Sequence, residues 1–454
     1  MNIIIAGDGK VGSALTRQLS SEGYDITVID TNPRVLENST ERYDVMSVQG
    51  NCASMDTLLS AGVKDADLLI ATTNLDEVNL LCCTVAHGIN PKLHTIARVR
   101  NPDYNEQIFR MRDIFGLSMT INPESQAAAE IERLLKLPGF LRRDVFAKGH
   151  TEIVELKIDK NSKLLGVTLM DMAGIIKCRV LVCAVLRGGV AMVPNSGQFT
   201  FQAGDRVFVT APTKNLTTLI RNLGIASRRV RSCLLCGAGK VCYYLAASLL
   251  RSGISVKIVE RNPERCTEIK TLLPDAEVIL GEAGDPELLE SENLKNYDAL
   301  VALTGEDELN MIVSLYASNA GVPQVITKLG HASNRNIIDT LNLGSVVCPK
   351  DLVVSNIVRY VRAMQNQTGA ALSVHAIADG QVEAMEFVVD KNTKHVGIPL
   401  KNLKPKPNVL VASITHGAFT EIPNGDSMFN IGDSVVVVVI RGDTAIRQLN
   451  DCFE

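Results

Sequence analysis

Tryptophan is absent from this chain of 454 residues, and all aromatic residues together make up only 4% of it. This composition argues against the aromatic surfaces on which the bases of single-stranded nucleic acids stack. An excess of charge of one sign is also lacking, because 46 Lys and Arg residues stand against 50 Asp and Glu residues, for a formal net charge of −4. This balance argues against a protein that coats DNA or an anionic membrane, and we expect no nucleic-acid partner.

Long hydrophobic runs are missing as well. The densest run covers residues 435–440 and predicts a buried strand, since a membrane-spanning helix needs about 18 apolar residues. The first residues lack the basic stretch of a signal peptide and enter a Gly-rich turn, which predicts a folded first strand. The eleven Cys residues lack the spacing of metal ligands, as is typical of a reducing compartment. We expect a cytoplasmic location and no metal site.

What the chain does contain is a repeat of about half its length. The sequence Gly7-Asp8-Gly9-Lys10-Val11-Gly12 returns as Gly237-Ala238-Gly239-Lys240-Val241-Cys242, and four further segments return in the same order, all at offsets of 228 to 231 residues. These segments begin at Asp30 and Glu260, at Thr73 and Thr304, at Asp159 and Asp390, and at Gly204 and Gly432. Five ordered matches predict a tandem duplication. With 46% hydrophobic residues, each copy has enough apolar side chains for a core of its own.

Each half of the chain predicts two domains. In the first half, apolar runs predict strands at residues 2–6, 26–30, 45–48, 68–71 and 95–97, and helical patterns cover 10–22, 54–61, 75–87 and 102–112. This alternation is typical of an α/β fold with a Rossmann-like parallel sheet, covered by helices on both faces. A helical link from 124 to 137 ends at Pro138-Gly139, and its counterpart covers 353–365; a small α+β module follows each link. The predicted domains are residues 1–122, 140–224, 230–350 and 368–453.

The motif Gly7-x-Gly9-x-x-Gly12 follows the first predicted strand and opens the first helix. In this context Gly7 permits a tight turn, Gly9 lets the backbone approach a pyrophosphate, and Gly12 lets helix and strand pack closely. The N–H groups at the helix start, from Lys10 onward, would face phosphate oxygens. Asp30 ends the second strand, where a carboxylate accepts ribose hydroxyls and repels a 2′-phosphate. The pattern predicts NAD(H) or an adenine nucleotide in preference to NADP(H).

The second copy of this motif predicts a weaker site. Cys242 replaces the third glycine, so the helix and the strand would pack less closely there. Glu260 keeps a carboxylate at the end of the second strand, on a longer side chain. The acidic pairs at 76–77 and 307–308 begin a helix after the fourth strand, where carboxylates suit the helix dipole; a Mg²⁺ ion at a nucleotide phosphate is the alternative interpretation.

Catalytic or redox chemistry is not indicated by the remaining Cys and His residues. Cys233 and Cys236 lie three apart on a predicted strand, which places their Cα atoms about 10 Å apart, whereas a disulfide needs less than about 7 Å. Cys82 and Cys83 lie in a helical apolar pattern, and we interpret both pairs as packing residues. His331 is the one histidine placed like the base of a dehydrogenase, and we interpret it as structural.

Taken together, these features resemble the TrkA family, the peripheral NAD-binding regulatory proteins of bacterial and archaeal Trk potassium-uptake systems, which consist of two tandem RCK (KTN) units. The resemblance covers essentially the whole chain. Beyond the doubled loop, it rests on residues 71–74 with Asp76, Glu77 and Asn79, on residues 97–99, and on Gly166, Leu169, Pro194, Asn195, Gly204 and Asp205 of the small module.

The resemblance implies dinucleotide contacts in both copies. In the first copy they are Gly7, Asp8, Gly9, Lys10, Val11, Gly12, Asp30, Asn51, Cys52, Thr73, Asn74 and Arg98. In the second copy they are Gly237, Ala238, Gly239, Lys240, Val241, Glu260, Thr304 and Gly305. Asn51 and Cys52 would line the adenine, at positions where the family usually has an Asp or similar residue followed by a small one. Arg98 would place a positive charge near the phosphates, with Lys328 at its position in the second copy.

The function implied by the resemblance is that of a non-enzymatic regulatory subunit that binds NAD(H), with ATP or ADP as further ligands. Its partner would be an integral-membrane Trk-type potassium transporter at the inner face of the cell membrane, and a homo-oligomer, dimer or tetramer, would form a gating ring. Two alternatives stay open: an RCK-type regulator of another cation channel or antiporter, and an NAD-dependent oxidoreductase. The latter needs a substrate domain with an acid or base beside the nicotinamide, which modules of about 70 residues do not offer.

Overall fold

The computed structural model describes residues 1–136, 140–194, 196–224, 229–330, 341, 343–364, 371–441, 446 and 448–454. The chain divides into two compact units, Met1–Ala129 with Cys348–Val358 and Glu130–Val347 with Arg359–Glu454. In the described part of the chain, no helix combines the length and the apolar character needed to cross a membrane. Pro138, Gly139, Asn195, His331 and Gln365, on which sequence predictions fell, lie outside the described residues.

The first unit contains a six-stranded parallel sheet in the order β3-β2-β1-β4-β5-β6. Its strands are β1 (Asn2–Ala6), β2 (Asp25–Asp30), β3 (Met46–Gln49), β4 (Leu68–Ala71), β5 (His94–Arg98) and β6 (Met119–Ile121). Its helices are α1 (Lys10–Ser21), α2 (Pro33–Arg42), α3 (Met55–Ser60), α4 (Asp76–Ile89) and α5 (Pro102–Met111), and α6 (Pro123–Lys136) continues into the second unit. The strand order reverses between β1 and β4, where ligands bind in sheets of this kind.

Sequence-level signals account for most of this first lobe. Ile3, Ile4 and Ile5 of β1 are all buried, as expected of a parallel strand covered on both faces. The side chain of Asn32 caps α2 by accepting a hydrogen bond from the Arg34 backbone, with a proline at the first helical position. The five predicted strands are confirmed to within one or two residues at each end. The three-residue β6 was not predicted, because so short a segment carries no periodicity.

The second unit begins with a small module built on a five-stranded antiparallel sheet in the order β10-β9-β11-β8-β7. Its elements are β7 (Arg142–Phe146), β8 (Thr151–Lys157), α7 (Leu169–Ile176), β9 (Leu181–Arg187), β10 (Val190–Met192), β11 (Arg206–Pro212) and α8 (Thr213–Leu223). Helices α7 and α8 pack on one face of the sheet in a single apolar cluster. The predicted α+β character is confirmed for this module.

A second Rossmann-like lobe follows, with a parallel sheet in the order β14-β13-β12-β15-β16-β17. Its strands are β12 (Ser232–Cys236), β13 (Ser255–Glu260), β14 (Glu277–Leu280), β15 (Ala299–Ala302), β16 (Gln324–Lys328) and β17 (Ser345–Val347). Its helices are α9 (Lys240–Arg251), α10 (Pro263–Leu272), α11 (Pro286–Ser291) and α12 (Asp307–Asn319), and α13 (Pro349–Met364) belongs to both units. This order repeats that of the first lobe strand for strand.

The last module has a five-stranded antiparallel sheet in the order β18-β19-β22-β20-β21. Its strands are β18 (Ala371–Ile377), β19 (Val382–Val388), β20 (Val409–His416), β21 (Phe419–Glu421) and β22 (Ser434–Ile440). Read from the other end, this order matches that of the first module. Between residues 371 and 441, the described chain has short 3-10 turns and no α-helix.

The two small modules pack against each other within the second unit. Their shared apolar cluster includes Phe146 and Phe208 of the first module and Val436 and Val438 of the second, all with at most 1% of their surface exposed. The same cluster contains Phe146 and Ile377, which lie at equivalent positions of the repeat, 231 residues apart. Equivalent faces of the two sheets therefore bury each other.

Polar contacts accompany this apolar contact between the modules. Asp144 Oδ1 of the first module lies 3.1 Å from His375 Nδ1 of the second, and these two residues also hold equivalent positions of the repeat. Arg206 bridges the modules, because its guanidinium donates to Asp379 Oδ1 at 2.8 Å and also pairs with Glu155 of its own sheet.

Candidate functional site

The Gly-rich loop of the first lobe lies at the carboxyl end of β1, where the strand order reverses. Gly7 adopts φ +90°, and a Cβ atom there would meet the backbone N of Thr73 at 2.8 Å. A Cβ on Gly12 would lie 2.0 Å from the carbonyl oxygen of Gly7. At Gly9 no atom lies within 4 Å of the Cβ position, so the backbone is open to a ligand there. The three glycines thus meet the steric demands that the motif predicts.

Asp30 lies beside this loop, at the end of β2. Its Oδ2 accepts a hydrogen bond from the backbone N–H of Asp8 at 2.8 Å, and its Oδ1 accepts one from Asn32 at 2.9 Å. These two bonds hold the carboxylate at the mouth of the loop. A carboxylate has about four acceptor positions, so each oxygen can accept a further bond from a ribose hydroxyl.

The side chain of Asp8 turns into the lobe, away from the loop opening. Its carboxylate accepts hydrogen bonds from Thr16 and Ser39, and only 3% of the residue is exposed. Burial raises the pKa of this carboxyl, while both hydroxyl donors lower it. Asp8 therefore presents its backbone to the candidate site and uses its side chain to join α1 to α2.

Asn79 organises the loop after β4, although the sequence predicts no ligand contact for it. Its Oδ1 accepts from the backbone N and the hydroxyl of Thr73, at 2.8 and 2.7 Å, and its Nδ2 donates to the carbonyls of Thr73 and Arg98. Asn79 is fully buried. In the second lobe Asn310 makes the same four bonds to Thr304 and Lys328. One amide thus fixes the ends of two neighbouring strands in each lobe.

Arg98 lies at the end of β5, beneath the same loop. Its guanidinium donates to the carbonyl of Thr73 and, at 3.4 Å, to the side chain of Asn74. Only 8% of Arg98 is exposed, and this burial lowers the pKa of its guanidinium. Lys328 takes this position in the second lobe, with its Nζ 2.6 Å from the carbonyl of Thr304. Both cations therefore hold the loop that ends the fourth strand.

The remaining predicted residues of the first lobe lie around the same edge of the sheet. Lys10 and Val11 begin α1, where Lys10 is exposed and Val11 is buried. Asn51 and Cys52 follow β3; the side chain of Asn51 accepts from the backbone of Ala53 at 3.0 Å, and Cys52 is 5% exposed. The structure thus brings all of these residues to the carboxyl ends of β1 to β5, and their contacts with a ligand stay a prediction.

The second lobe has an open cleft of about 480 Å³ at the equivalent edge. The predicted residues among its lining are Gly237, Ala238, Gly239, Glu260, Thr304 and Gly305. Glu260 repeats the role of the first-lobe carboxylate, because it accepts from the backbone of Ala238 at 2.7 Å and of Asn262 at 2.9 Å. Of the other two predicted residues, Lys240 is exposed at the start of α9 and Val241 is buried behind it.

Two arginines of this cleft were not predicted. The Nε of Arg265, in the first turn of α10, donates to the carbonyl of Ala238 at 2.6 Å, and Arg261 pairs with Glu306 across the cleft at 3.0 Å. Arg265 takes the position of Val35 in the first lobe. Its position in the sequence, five residues after the strand-end carboxylate, is the signal that could have placed it near the loop.

Cys242 occupies the place of the third glycine without exposing any of its surface. In the first lobe a Cβ at this place would overlap the loop carbonyl, so the second loop and helix must have a different spacing. Burial raises the pKa of the Cys242 thiol. Cys233 and Cys236 are buried free thiols on β12, as predicted, and Cys82 and Cys83 are buried on α4.

Comparisons with known proteins agree with this doubled arrangement. The TrkA-N domain profile matches residues 3–123 and 233–349, and the TrkA-C domain profile matches residues 153–224 and 384–448. The chain belongs to the TrkA family. The Trk system potassium uptake protein TrkA of Halomonas elongata is 31% identical over 464 residues, covering 100% of this chain and 99% of its own. TrkA homolog 1 of Methanosarcina mazei is 30% identical over 444 residues, covering 96% of this chain and 97% of its own.

Solved structures of RCK domains share the fold of this TrkA-family chain. The GsuK RCK domain matches with a TM-score of 0.59 at 15% identity, covering 97% of this chain and 92% of that one. The GsuK channel bound to NAD matches with a TM-score of 0.60 at 16% identity, covering 97% and 76%. At this level of identity the likeness shows the fold alone. It confirms the α/β architecture and, with the doubled TrkA-N and TrkA-C matches, the tandem RCK organisation that the sequence predicts.

Proposed function

We propose that this chain is the regulatory subunit of a Trk-type potassium uptake system, which binds NAD(H) in its Rossmann-like lobes and passes the state of those sites to an integral-membrane transporter. The observation that carries the proposal is the first-lobe site, where Asp30 is hydrogen-bonded to the Gly-rich loop and Gly9 has open space beside it. The names of the relatives support the potassium-uptake role. Its location would be cytoplasmic, at the inner face of the membrane.

NAD(H) is the proposed ligand of the first lobe because Asp30 favours free ribose hydroxyls. A 2′-phosphate would bring like charge against the carboxylate, which disfavours NADP(H). ADP and ATP share the adenosine half of the dinucleotide and are the proposed alternative ligands. The similarly folded GsuK has been solved both with NAD and with ADP.

Coupling to a membrane partner requires several sites that act together. One ligand site supplies about 1–3 kcal/mol of coupling free energy, whereas shifting a gate from 1:99 to 99:1 takes about 5.5 kcal/mol. A chain with two lobes that assembles into a homodimer or homotetramer supplies four or eight sites. We therefore infer a ring of lobes beneath the transporter.

We infer a role without chemical turnover. Each lobe leads into a compact module whose sheet packs on the other module, so the modules serve as mutual partners and not as a substrate domain. A hydride-transfer assay with NAD⁺ over a panel of hydroxy acids is expected to give no product, and turnover there would favour the oxidoreductase alternative.

Calorimetric titration with NADH, NAD⁺, ATP and ADP tests the ligand proposal. Asp30→Ala removes charged hydrogen bonds to the ribose, so we expect about 10- to 100-fold weaker NADH binding in the first lobe. Glu260→Ala should act in the same way on the second site. Asp25→Ala, at the opposite end of β2, is the matched control and should bind as wild type does. Unchanged NADH affinity in Asp30→Ala would overturn the ribose assignment.

Regulation is tested separately with the membrane subunit in liposomes. Potassium or rubidium flux should change when NADH replaces NAD⁺ or when ADP replaces ATP, and Asp30→Ala should remove part of that response. Light scattering on the purified chain should give a dimer or tetramer; a monomer with and without NADH would contradict the ring.

A further inference from the structure

An ion pair spans the cleft of the second lobe. Arg261 Nη2 lies 3.0 Å from Glu306 Oε1, and both residues line the cleft. Arg261 directly follows β13, and Glu306 ends the loop between β15 and α12. The strand order here is β13-β12-β15, and neighbouring strands lie about 4.8 Å apart. The two side chains therefore meet across the Gly-rich loop that follows β12.

Space remains beneath this bridging pair of Arg261 and Glu306. No atom lies within 4 Å of the place that a Cβ on Gly239 would take, and the cleft has a volume of about 480 Å³. In sheets of this kind the Gly-rich loop and the helix start behind it face the phosphates of a nucleotide. A phosphate bound at Gly239 would therefore lie close to both members of the bridging pair.

The first lobe lacks both charges. Thr31 stands at the position of Arg261 and Leu75 at the position of Glu306, 230 and 231 residues earlier. Neither Thr31 nor Leu75 can form an ion pair. The buried amide that shapes the neighbouring loop makes the same hydrogen bonds in both lobes. The bridging pair is thus a difference in charge between two similar frameworks, at the place where phosphates would bind.

We propose that Arg261 binds the phosphates of an adenine nucleotide in the second lobe and that Glu306 competes for the same guanidinium. A guanidinium can hold either a carboxylate or a phosphate in a forked geometry, and a terminal phosphate carries more negative charge than a carboxylate. Competition lowers the apparent affinity, because Arg261 is available only in the fraction of molecules in which it is unpaired. This inference rests on the proposed function in one respect, namely that the second lobe takes an adenine nucleotide.

The exposure of the bridging pair allows such an exchange. The side chains of Arg261 and Glu306 are 62% and 55% exposed, and ion pairs at exposed positions are weak. The Glu306 backbone is held in place, because its N–H donates to the Thr304 hydroxyl at 3.3 Å and its carbonyl accepts from that hydroxyl at 3.1 Å. A released carboxylate would lie at the amino end of α12, where the helix dipole favours negative charge.

Calorimetric titration with ADP tests the competition, in an Asp30→Ala background that weakens the first site. Glu306→Gln keeps the shape of the side chain and removes its charge, so we expect about two- to fivefold tighter ADP binding. Glu308→Gln is the matched control. Glu308 is exposed in the first turn of the same helix, and its variant makes the same change of charge but should bind ADP as the background protein does. Arg261→Thr, which installs the first-lobe residue, should bind ADP about fivefold more weakly.

A double variant separates competition from simple repulsion between carboxylate and phosphate. Without Arg261 there is no guanidinium for Glu306 to occupy, so Glu306→Gln should no longer tighten ADP binding in the Arg261→Thr background. A gain of the same size with and without Arg261, or no gain in either case, would overturn the proposal. If neither the background protein nor Glu306→Gln binds ADP, the proposal also fails, whereas NADH titration of the first lobe decides the proposed function separately.

Discussion

The two Rossmann-like lobes share their framework and differ where a ligand would lie. Both have the same strand order, a strand-end carboxylate bound to the loop backbone, and a buried amide with four equivalent hydrogen bonds. The third glycine of the first loop is a cysteine in the second, and Val35 is replaced by Arg265. The hydrogen bonds that shape the loops are therefore the same in both lobes, while the side chains that would contact a ligand differ.

The third loop residue is the difference between the lobes from which we expect the largest effect. Gly12→Cys gives the first lobe the residue of the second, but a Cβ there lies 2.0 Å from the carbonyl of Gly7. We expect the variant to lose about 3 kcal/mol or more of unfolding free energy and all measurable first-lobe NADH binding. Thermal unfolding and calorimetric titration measure the two effects.

The reverse exchange is its control. Cys242→Gly removes a buried thiol and puts glycine into a helix, at a cost of about 1 kcal/mol, and first-lobe binding should be unchanged. Equal losses from the two exchanges would contradict the inference that the loops and helices of the two lobes are spaced differently.

The buried amides test the shared framework. Asn79→Ala leaves the N–H of Thr73 without its partner and removes one donor each from the carbonyls of Thr73 and Arg98, so we expect a loss of about 3 kcal/mol in the unfolding free energy of the first lobe. Asn310→Ala should cost the second lobe the same amount. Exposed Asn38→Ala is the control, with little expected effect. A large difference between the two amide variants, measured by denaturant unfolding, would show that the framework is not equivalent.

The contact between the small modules predicts a pH dependence. Burial alone would raise the pKa of Asp144, but Arg142 and His375 outweigh it and hold this pKa well below its ordinary value. A carboxyl whose pKa is lower in the folded state stabilises above its unfolded pKa, and this stabilisation is lost as the pH falls toward the folded value. Asp144→Asn should therefore cost about 2 kcal/mol at pH 7. Its stability curve should approach that of wild type below about pH 4, and a constant gap across the pH range would contradict the assignment.

The smallest expected effect concerns ligand choice in the second lobe. Arg265→Val installs the first-lobe residue and removes a positive charge from the Gly-rich loop, so we expect about fivefold weaker binding of ATP or ADP at that site. Binding should also depend less on salt. Titration in an Asp30→Ala background isolates the second site, and Arg265→Lys, which keeps the charge, should lose less. Stronger binding by the valine variant would contradict a phosphate-facing arginine.

Much of this architecture could be predicted from the sequence, because parallel strands buried on both faces give continuous apolar runs between turns. The strand at residues 2–6 and the Gly-rich motif after it predict where the strand order of the sheet reverses. The repeat predicts the same arrangement in the second lobe. The two strand-end carboxylates could be predicted from their separation in sequence from the glycines. The structure places both carboxylates beside their Gly-rich loops.

The rest depends on contacts that are distant in the sequence. Asn79 forms hydrogen bonds with backbone groups up to 19 residues away. Its position in a helical pattern does not predict these bonds. Asp8 belongs to the motif, yet the hydroxyl of Ser39, 31 residues further on, draws its side chain inward. Arg265 reaches the loop only because β12 and β13 are neighbours. The two small modules pack through strands in which apolar and polar residues alternate. Because the same pattern would also suit packing on a separate chain, the sequence could not predict which partner covers each sheet.

The contact between Asp144 and His375 has a consequence for how such a protein can evolve. In a symmetric homodimer, a residue on the two-fold axis faces its own copy, so an acid would face an acid and an imidazole would face an imidazole. Here the two counterparts belong to one polypeptide and have diverged, so that a carboxylate meets an imidazole where symmetry would pair two identical side chains. A chain that carries both copies can thus bring two different side chains together where equivalent positions meet, whereas two identical subunits can bring only the same side chain to that place twice.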